Sequence, residues 1–208
     1  MQDNSGVQFL LQKPSIYNFF QEAVGGNASR RRFIRDHVCP QEGNKIIDVG
    51  CGPAEMFSWM PTGIQYVGFD VSSSYIQAAE QRYGGNRGLF LVGTTKTLWN
   101  DPRLMGADIV IGTALLHHLD DSEVLNFFEF AYRVLKKNGR LACADPCWIP
   151  KQGIVSKWIM SKDRGKNIRT AEGYSTLAEK VFHNAKITID NKPLRIPSAS
   201  VYLECVRQ

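Results

Sequence analysis

Hydrophobic and polar positions follow two rhythms along this chain. Short apolar runs at 45–49, 65–70, 88–92, 108–111 and 139–145 predict five buried strands. The stretches between them carry helical spacing. A short helix is expected around 53–60, after Lys45-Ile46-Ile47-Asp48-Val49. Ser72 or Ser73 caps a helix running to Tyr83, and Gly84-Gly85 stops it. Asp120 or Asp121 caps a helix over 121–136, where Val124, Phe128, Ala131 and Leu135 share a face and Asn138-Gly139 forms the stop. Apolar strands joined by helices specify a parallel sheet covered on both faces.

The two ends of the chain read differently. Helices are predicted at 14–24, opened by Pro14, and at 27–38, capped by Asn27 or Ser29, with Gly25-Gly26 between them. Residues 1–39 thus form a helical cap on the sheet. After a helix at 171–183, residues 186–190 and 200–206 alternate like an antiparallel hairpin, with Pro193 and Pro197 in its loop. The expected architecture is α/β and Rossmann-like: seven strands, mostly parallel, the last antiparallel, with helices on both faces. Residues 147–170 enter as an insertion, and 1–208 reads as one domain.

Composition narrows the class only a little. No apolar run reaches the length of a membrane span, and Met1-Gln2-Asp3-Asn4-Ser5 opens no secretory signal. Cys39, Cys51, Cys143, Cys147 and Cys205 are odd in number and widely spaced, so free thiols and a cytoplasmic location are expected. Cys143 and Cys147 lack a second pair, and no metal site is expected. A net charge of +5 permits an anionic substrate without calling for nucleic acid. Arg30, Arg31, Arg32 and Arg35 form either a solvated face or an anion contact. The pattern specifies no oligomeric state.

Candidate chemistry gathers at the ends of the strands. Strand one runs into Gly50-Cys51-Gly52, and strand two ends at Asp70. Glycine lets the backbone turn tightly and approach a ligand, and a carboxylate at the end of the second strand suits ribose hydroxyls. Glu55 stands where a dinucleotide loop wants a glycine and would repel a diphosphate. No phosphate-loop lysine follows.

Asp48, Gly50 and Gly52, with Asp70 beyond them, resemble the first two motifs of the class I S-adenosylmethionine-dependent methyltransferases. Ala54 replaces the usual last glycine. The hairpin-closed sheet resembles the same family. The resemblance implies S-adenosylmethionine as cofactor, held by Asp48, Gly50, Cys51, Gly52 and Asp70. Val71 would pack on the adenine, Thr94 and Thr95 would face its amino group, and Thr113-Ala114 would line the path of the methyl group.

An oxygen nucleophile needs a base near neutrality, and histidine fits best. His117 and His118 follow strand four, as in similar methyltransferases acting on sugars and other natural products. One would face the site while the other packs on the sheet; a purely structural role stays open for either. Asp145, before Pro146, would orient His117 or bind a substrate hydroxyl. The 147–170 insertion reads as a lid. Tyr17, Trp148, Lys162, Arg164 and Arg169 are the expected contacts to a small, possibly anionic acceptor, reacting at an oxygen of a sugar, phenol or carboxylate. The alternatives are a nucleic-acid or protein methyltransferase, or a non-catalytic S-adenosylmethionine-binding subunit. The missing base-methylation tetrad argues against nucleic acid.

Overall fold

The computed structural model describes residues 25–85, 88–161 and 165–208. The predicted 14–24 helix, Tyr17, Lys162 and Arg164 lie outside them.

The chain builds α1 (Gly26–Phe33), β1 (Lys45–Val49), β2 (Gln65–Asp70), α2 (Ser73–Tyr83), β3 (Leu89–Val92), β4 (Ala107–Thr113), α3 (Asp121–Val134), β5 (Leu135–Trp148), α4 (Ile154–Ser161), β6 (Arg169–Thr170), α5 (Ala171–Glu179), β7 (Lys186–Asp190) and β8 (Ser200–Val206). The main sheet runs β3-β2-β1-β4-β5-β8-β7, with β6 pairing the end of β5. Strands β1 to β5 are parallel, and β8 enters antiparallel between β5 and β7. The order reverses between β1 and β4, so ligands belong at the carboxyl ends of those strands.

Alternation along the strands feeds two apolar layers. Ile47, Val49, Val110, Leu141 and Leu203 pack on α3 and α5, where Phe127, Phe128 and Phe130 of α3 and Phe182, just past α5, are fully buried. Ile46, Ile109, Ile111 and Ala142 face Phe33, Phe57, Ile76 and Tyr83 on the other side. Truncating one of the buried phenylalanines would cost about 3–5 kcal/mol.

Local chemistry sets the element ends. Ser72 caps α2 by accepting the Tyr75 N–H, and Asp120 caps α3 in a reciprocal box with Glu123. Three expectations need correction. Helix α1 starts at Gly25 in a left-handed conformation, with no side-chain cap from Asn27 or Ser29, and passes into a π-helical turn, Ile34–Val38. Helix α3 ends at Val134, and β5 begins at once because Leu135 is buried against Ala107. Asn138, at φ 61, is therefore a bulge within β5 and not a helix stop. Arg207 pins it: the Asn138 N–H donates to the Arg207 carbonyl, and the Arg207 N–H to that of Gly139.

The arginines of α1 dock the helix instead of lying idle in solvent. Arg30 pairs with Glu55 at 3.0 Å, Arg32 with Asp190 at 2.8 Å, and Arg31 lies over the Trp59 ring.

Candidate active site

The turn after β1 is held from β2. The Gly50 and Cys51 N–H groups donate to the Phe69 carbonyl, and the Gly52 N–H donates to Asp70 Oδ2 at 3.0 Å. Asp70 Oδ1 accepts the Ser72 N–H at 2.8 Å. Since Ser72 caps α2, Asp70 is left to bridge the glycine turn and the strand end. Gly50 has φ 69, and a Cβ there would lie 3.0 Å from Leu115 Cδ1; Gly52 has φ 54 and open space around it. That space is the cradle a nucleoside would need. Ala54 also adopts a left-handed φ of 55 and is fully buried. Glu55 is neutralised by Arg30, so its charge does not by itself exclude a diphosphate.

Beneath this turn Asp48 is buried. It accepts the Tyr66 hydroxyl at 2.5 Å, while its Oδ1 meets no hydrogen-bond partner. Burial pushes the Asp48 carboxyl up to about 7, against the opposing Tyr66 hydrogen bond and with a further push from Asp70. Burial, with Asp48 and Asp70 nearby, also drives the Cys51 thiol upward, so Cys51 packs as a neutral group.

The ends of β2 and β3 and the first turn of α2 expose apolar surface: Val71 is 70% exposed, Val92 54% and Tyr75 45%. Thr94 and Thr97 hydrogen-bond each other in a turn after β3, and Thr95 beside them is half-buried. At the end of β4 the Thr113 hydroxyl contacts Met56 Sδ at 3.4 Å. Ala114 takes φ 49 while its N–H donates to the Ala144 carbonyl.

His117 and Asp145 come together. The His117 Nδ1 lies 2.7 Å from Asp145 Oδ1, and both residues are buried. The same oxygen accepts the His117 backbone N–H, whereas Asp145 Oδ2 is buried without a hydrogen-bond partner. His118 is exposed, its ring 4.0 Å from that of His117. A carboxylate can only accept, so Nδ1 carries the proton and Nε2 is the basic nitrogen.

Arg169 does not reach out as an anion clamp. Its guanidinium donates to the Leu116, Leu119 and Asn167 carbonyls and to Asp121. Trp148 is half-buried and pairs with Thr170. The apolar side of the insertion is divided: Met160 is buried with Gln152 and Ser156, while Ile154, Val155 and Trp158 are exposed.

Sequence reasoning missed Tyr66, Val92, Leu115 and Gly165. Tyr66 was accessible in principle. Asp48 pairs with Gly68, so the residue two places before Gly68 lies diagonally across the same face. Gly165 carries no sequence signal of its own.

A parallel sheet with a glycine turn after β1 and a carboxylate ending β2 defines a nucleoside-binding α/β fold. Residues 47–143, just under half of the chain, match the family model for a methyltransferase domain, and this stretch supports a class I S-adenosylmethionine-dependent methyltransferase with S-adenosylmethionine as its cofactor. The chain is 28% identical over 119 residues to a small RNA 2'-O-methyltransferase of Mus musculus, covering 51% of this chain and 30% of that one. It is 26% identical over 174 residues to phosphoethanolamine N-methyltransferase 1 of Zea mays, covering 81% and 33%. The chain thus spans about a third of the length of these curated relatives. Two solved structures share the fold. The pyocyanin biosynthetic protein PhzM superposes with a TM-score of 0.73 at 16% identity, over 99% of this chain and 63% of that one. Geranyl diphosphate C-methyltransferase from Streptomyces coelicolor A3(2) gives 0.66 at 17% identity, over 88% and 81%. Among the described residues, no helix is long and apolar enough to cross a membrane.

Proposed function

We propose that the protein methylates a small-molecule acceptor at an oxygen of a sugar, phenol or carboxylate, with His117 as general base where that oxygen is a hydroxyl. The observation that carries this reading is the buried His117–Asp145 pair, which joins the turn after β4 to β5, with Leu115 of that turn against Gly50. When bound, S-adenosylmethionine supplies a methyl group on a sulfonium centre, set for in-line displacement. The protein's work is then alignment, exclusion of water and removal of a proton.

Asp70 holds the ribose hydroxyls, and Gly50, Cys51 and Gly52 let the backbone come close to the nucleoside. Val71, together with Val92, covers the adenine, with Thr94 and Thr95 at its polar edge. Asp48 lies below the turn with an oxygen in need of a donor, which suits the cationic end of the cofactor. Thr113 and Ala114 line the path between cofactor and acceptor. His117 takes the acceptor's proton at Nε2. Asp145 holds the Nδ1–H and stabilises the imidazolium that forms. His118 and Trp148 border the acceptor, with Tyr17, Lys162 and Arg164 as its anion and ring contacts. Arg169 acts on the protein side of the site.

A second reading, methylation of an RNA ribose hydroxyl, rests on the 28% identity to the small RNA 2'-O-methyltransferase of Mus musculus. Both readings need a base for a hydroxyl.

Labelled S-adenosylmethionine offered with sugars, phenols, small carboxylates, phosphoethanolamine, geranyl diphosphate and short RNA tests the proposal. Transfer to a hydroxyl of a small acceptor that is lost in His117→Gln supports it, as does transfer to a small carboxylate. Transfer to RNA alone, to amines alone or to carbon alone overturns it.

A further inference from the structure

We propose that Gly165 and Arg169 are positioning residues for His117, forming with Asn167 a strap that fixes the imidazole edge bearing the basic nitrogen. This rests on the reading of His117 as a base and adds the device that holds it.

The His117-His118 turn is a single 3-10 turn, Leu116–His118, with no side-chain cap at its start. Such a short element has few hydrogen bonds of its own, and its carbonyls need outside partners. The strap supplies them. The Arg169 Nη1 donates to the Leu116 carbonyl at 3.0 Å, and Nη2 to the Leu119 carbonyl at 2.9 Å. The Asn167 N–H donates to the His117 carbonyl at 3.0 Å. Three of the four carbonyls from Leu116 to Leu119 are therefore held by one segment of the insertion. The fork is itself fixed by Asp121 at the start of α3, at 2.6 Å, and Arg169 lies over the Tyr174 ring.

Gly165 closes the arrangement from the ring side. A Cβ at this position would overlap His117 Cδ2, and would lie 2.8 Å from Cγ and from the His117 carbonyl oxygen. Only a residue without a side chain lets the backbone lie against that edge. Cδ2 is bonded to Nε2, so the strap borders the nitrogen that takes the proton. Asp145 fixes Nδ1 from the opposite side. The ring is thus gripped on two edges by two different parts of the chain.

Arg169 is held at five donor contacts that a lysine cannot reproduce: a single ammonium cannot reach three carbonyls and a carboxylate spread around a planar fork. Arg169→Lys keeps the charge and removes the fork. Gly165→Ala leaves the Arg169 fork in place and displaces the ring edge, crowding the His117 carbonyl as well. These two changes disturb His117 by independent routes.

The test uses the full chain with uniformly 15N-labelled histidine. Long-range proton–nitrogen spectra report the tautomer of His117, assigned by its loss in His117→Gln. Calorimetric titration with S-adenosylhomocysteine reports the cofactor pocket. In the wild type, His117 should show one tautomer, protonated at Nδ1. Both variants should show a mixture of tautomers or a displaced titration. S-adenosylhomocysteine affinity should stay within about threefold, and kcat on the best acceptor of the panel should fall by up to about 100-fold at nearly constant KM. An unchanged imidazole spectrum in a folded variant overturns the proposal. Loss of folding in both variants also overturns it, since the strap would then be a stability element. Full transfer by His117→Gln would instead overturn the general-base reading, while the spectra would still decide whether the strap holds the ring.

Discussion

Asp145 Oδ1 accepts two hydrogen bonds from His117, one from the imidazole Nδ1 at 2.7 Å and one from the backbone N–H at 3.1 Å. Ring and main chain are therefore referenced to a single buried oxygen. The residues stand 28 positions apart and meet because β4 and β5 run parallel, with Thr113 at the end of β4 paired to Ala144, the residue before Asp145. A tautomer fixed in this way leaves the lone pair on Nε2, the nitrogen proposed to act as base.

Replacing Asp145 with asparagine keeps the shape and offers an amide where a carboxylate stood. The amide N–H can then donate to Nδ1, favouring the wrong tautomer. Asp145→Asn should lower kcat by about 10³-fold or more, with S-adenosylhomocysteine affinity nearly unchanged. Steady-state kinetics beside calorimetry will check this. A loss confined to KM would place Asp145 in acceptor binding instead.

Asp70 supports the loop and is proposed to hold the ribose. Asp70→Ala strands the Gly52 and Ser72 N–H groups. It should cost about 1–3 kcal/mol of stability and weaken S-adenosylhomocysteine binding at least about tenfold. Asp70→Asn retains an acceptor and should recover more stability than affinity. Urea melts and calorimetry on the same samples separate the two effects. Unchanged affinity in both variants would remove the ribose role.

The fold was largely legible because its signals are local. The β1, β2, β7 and β8 boundaries follow from apolar runs, and Ser72 and Asp120 announce the helix starts through short-range side-chain chemistry. What escaped depends on distant packing. Leu135 reads as the last apolar position of α3, yet its burial against Ala107 makes it the first residue of β5, and Asn138-Gly139 becomes a bulge held by Arg207. Arg169 looked like a cation awaiting an anion because the carbonyls that occupy it belong to a turn some fifty residues earlier. Gly165 is one glycine among 18, and only the folded chain lays it against His117.

The two glycines of the turn should respond differently to one added methyl. Both have positive φ, so alanine at either strains the backbone by roughly 1 kcal/mol. At Gly50 the methyl also meets Leu115 Cδ1 at 3.0 Å, whereas at Gly52 it points into open space. Gly50→Ala should therefore melt lower than Gly52→Ala and disturb the His117 turn through Leu115. Gly52→Ala should fold but lose cofactor affinity, because its methyl occupies the cradle. Equal melts with equal affinities would show that the open space is not the nucleoside site.

Asp48 makes a prediction about pH. Its folded-state carboxyl titrates near 7 against an ordinary value of 3.8, chiefly through burial. Between those values the folded chain keeps a proton that the unfolded chain has released. The unfolded state then binds fewer protons, so this group's contribution to stability falls as pH rises through the window and levels off above 7. The full penalty is on the order of 4 kcal/mol. Asp48→Asn keeps an acceptor for the Tyr66 hydroxyl and cannot ionise. The variant and the wild type should be comparably stable at about pH 4, and the variant clearly more stable at about pH 8. If the cationic end of the cofactor meets the Asp48 carboxylate, S-adenosylhomocysteine should bind the variant more weakly, most of all at about pH 8, where the wild-type group is ionised. Urea melts and calorimetry across that range check both effects. Parallel stability curves for the two proteins would mean that Asp48 is already ionised at low pH, with a partner for Oδ1 that offsets its burial.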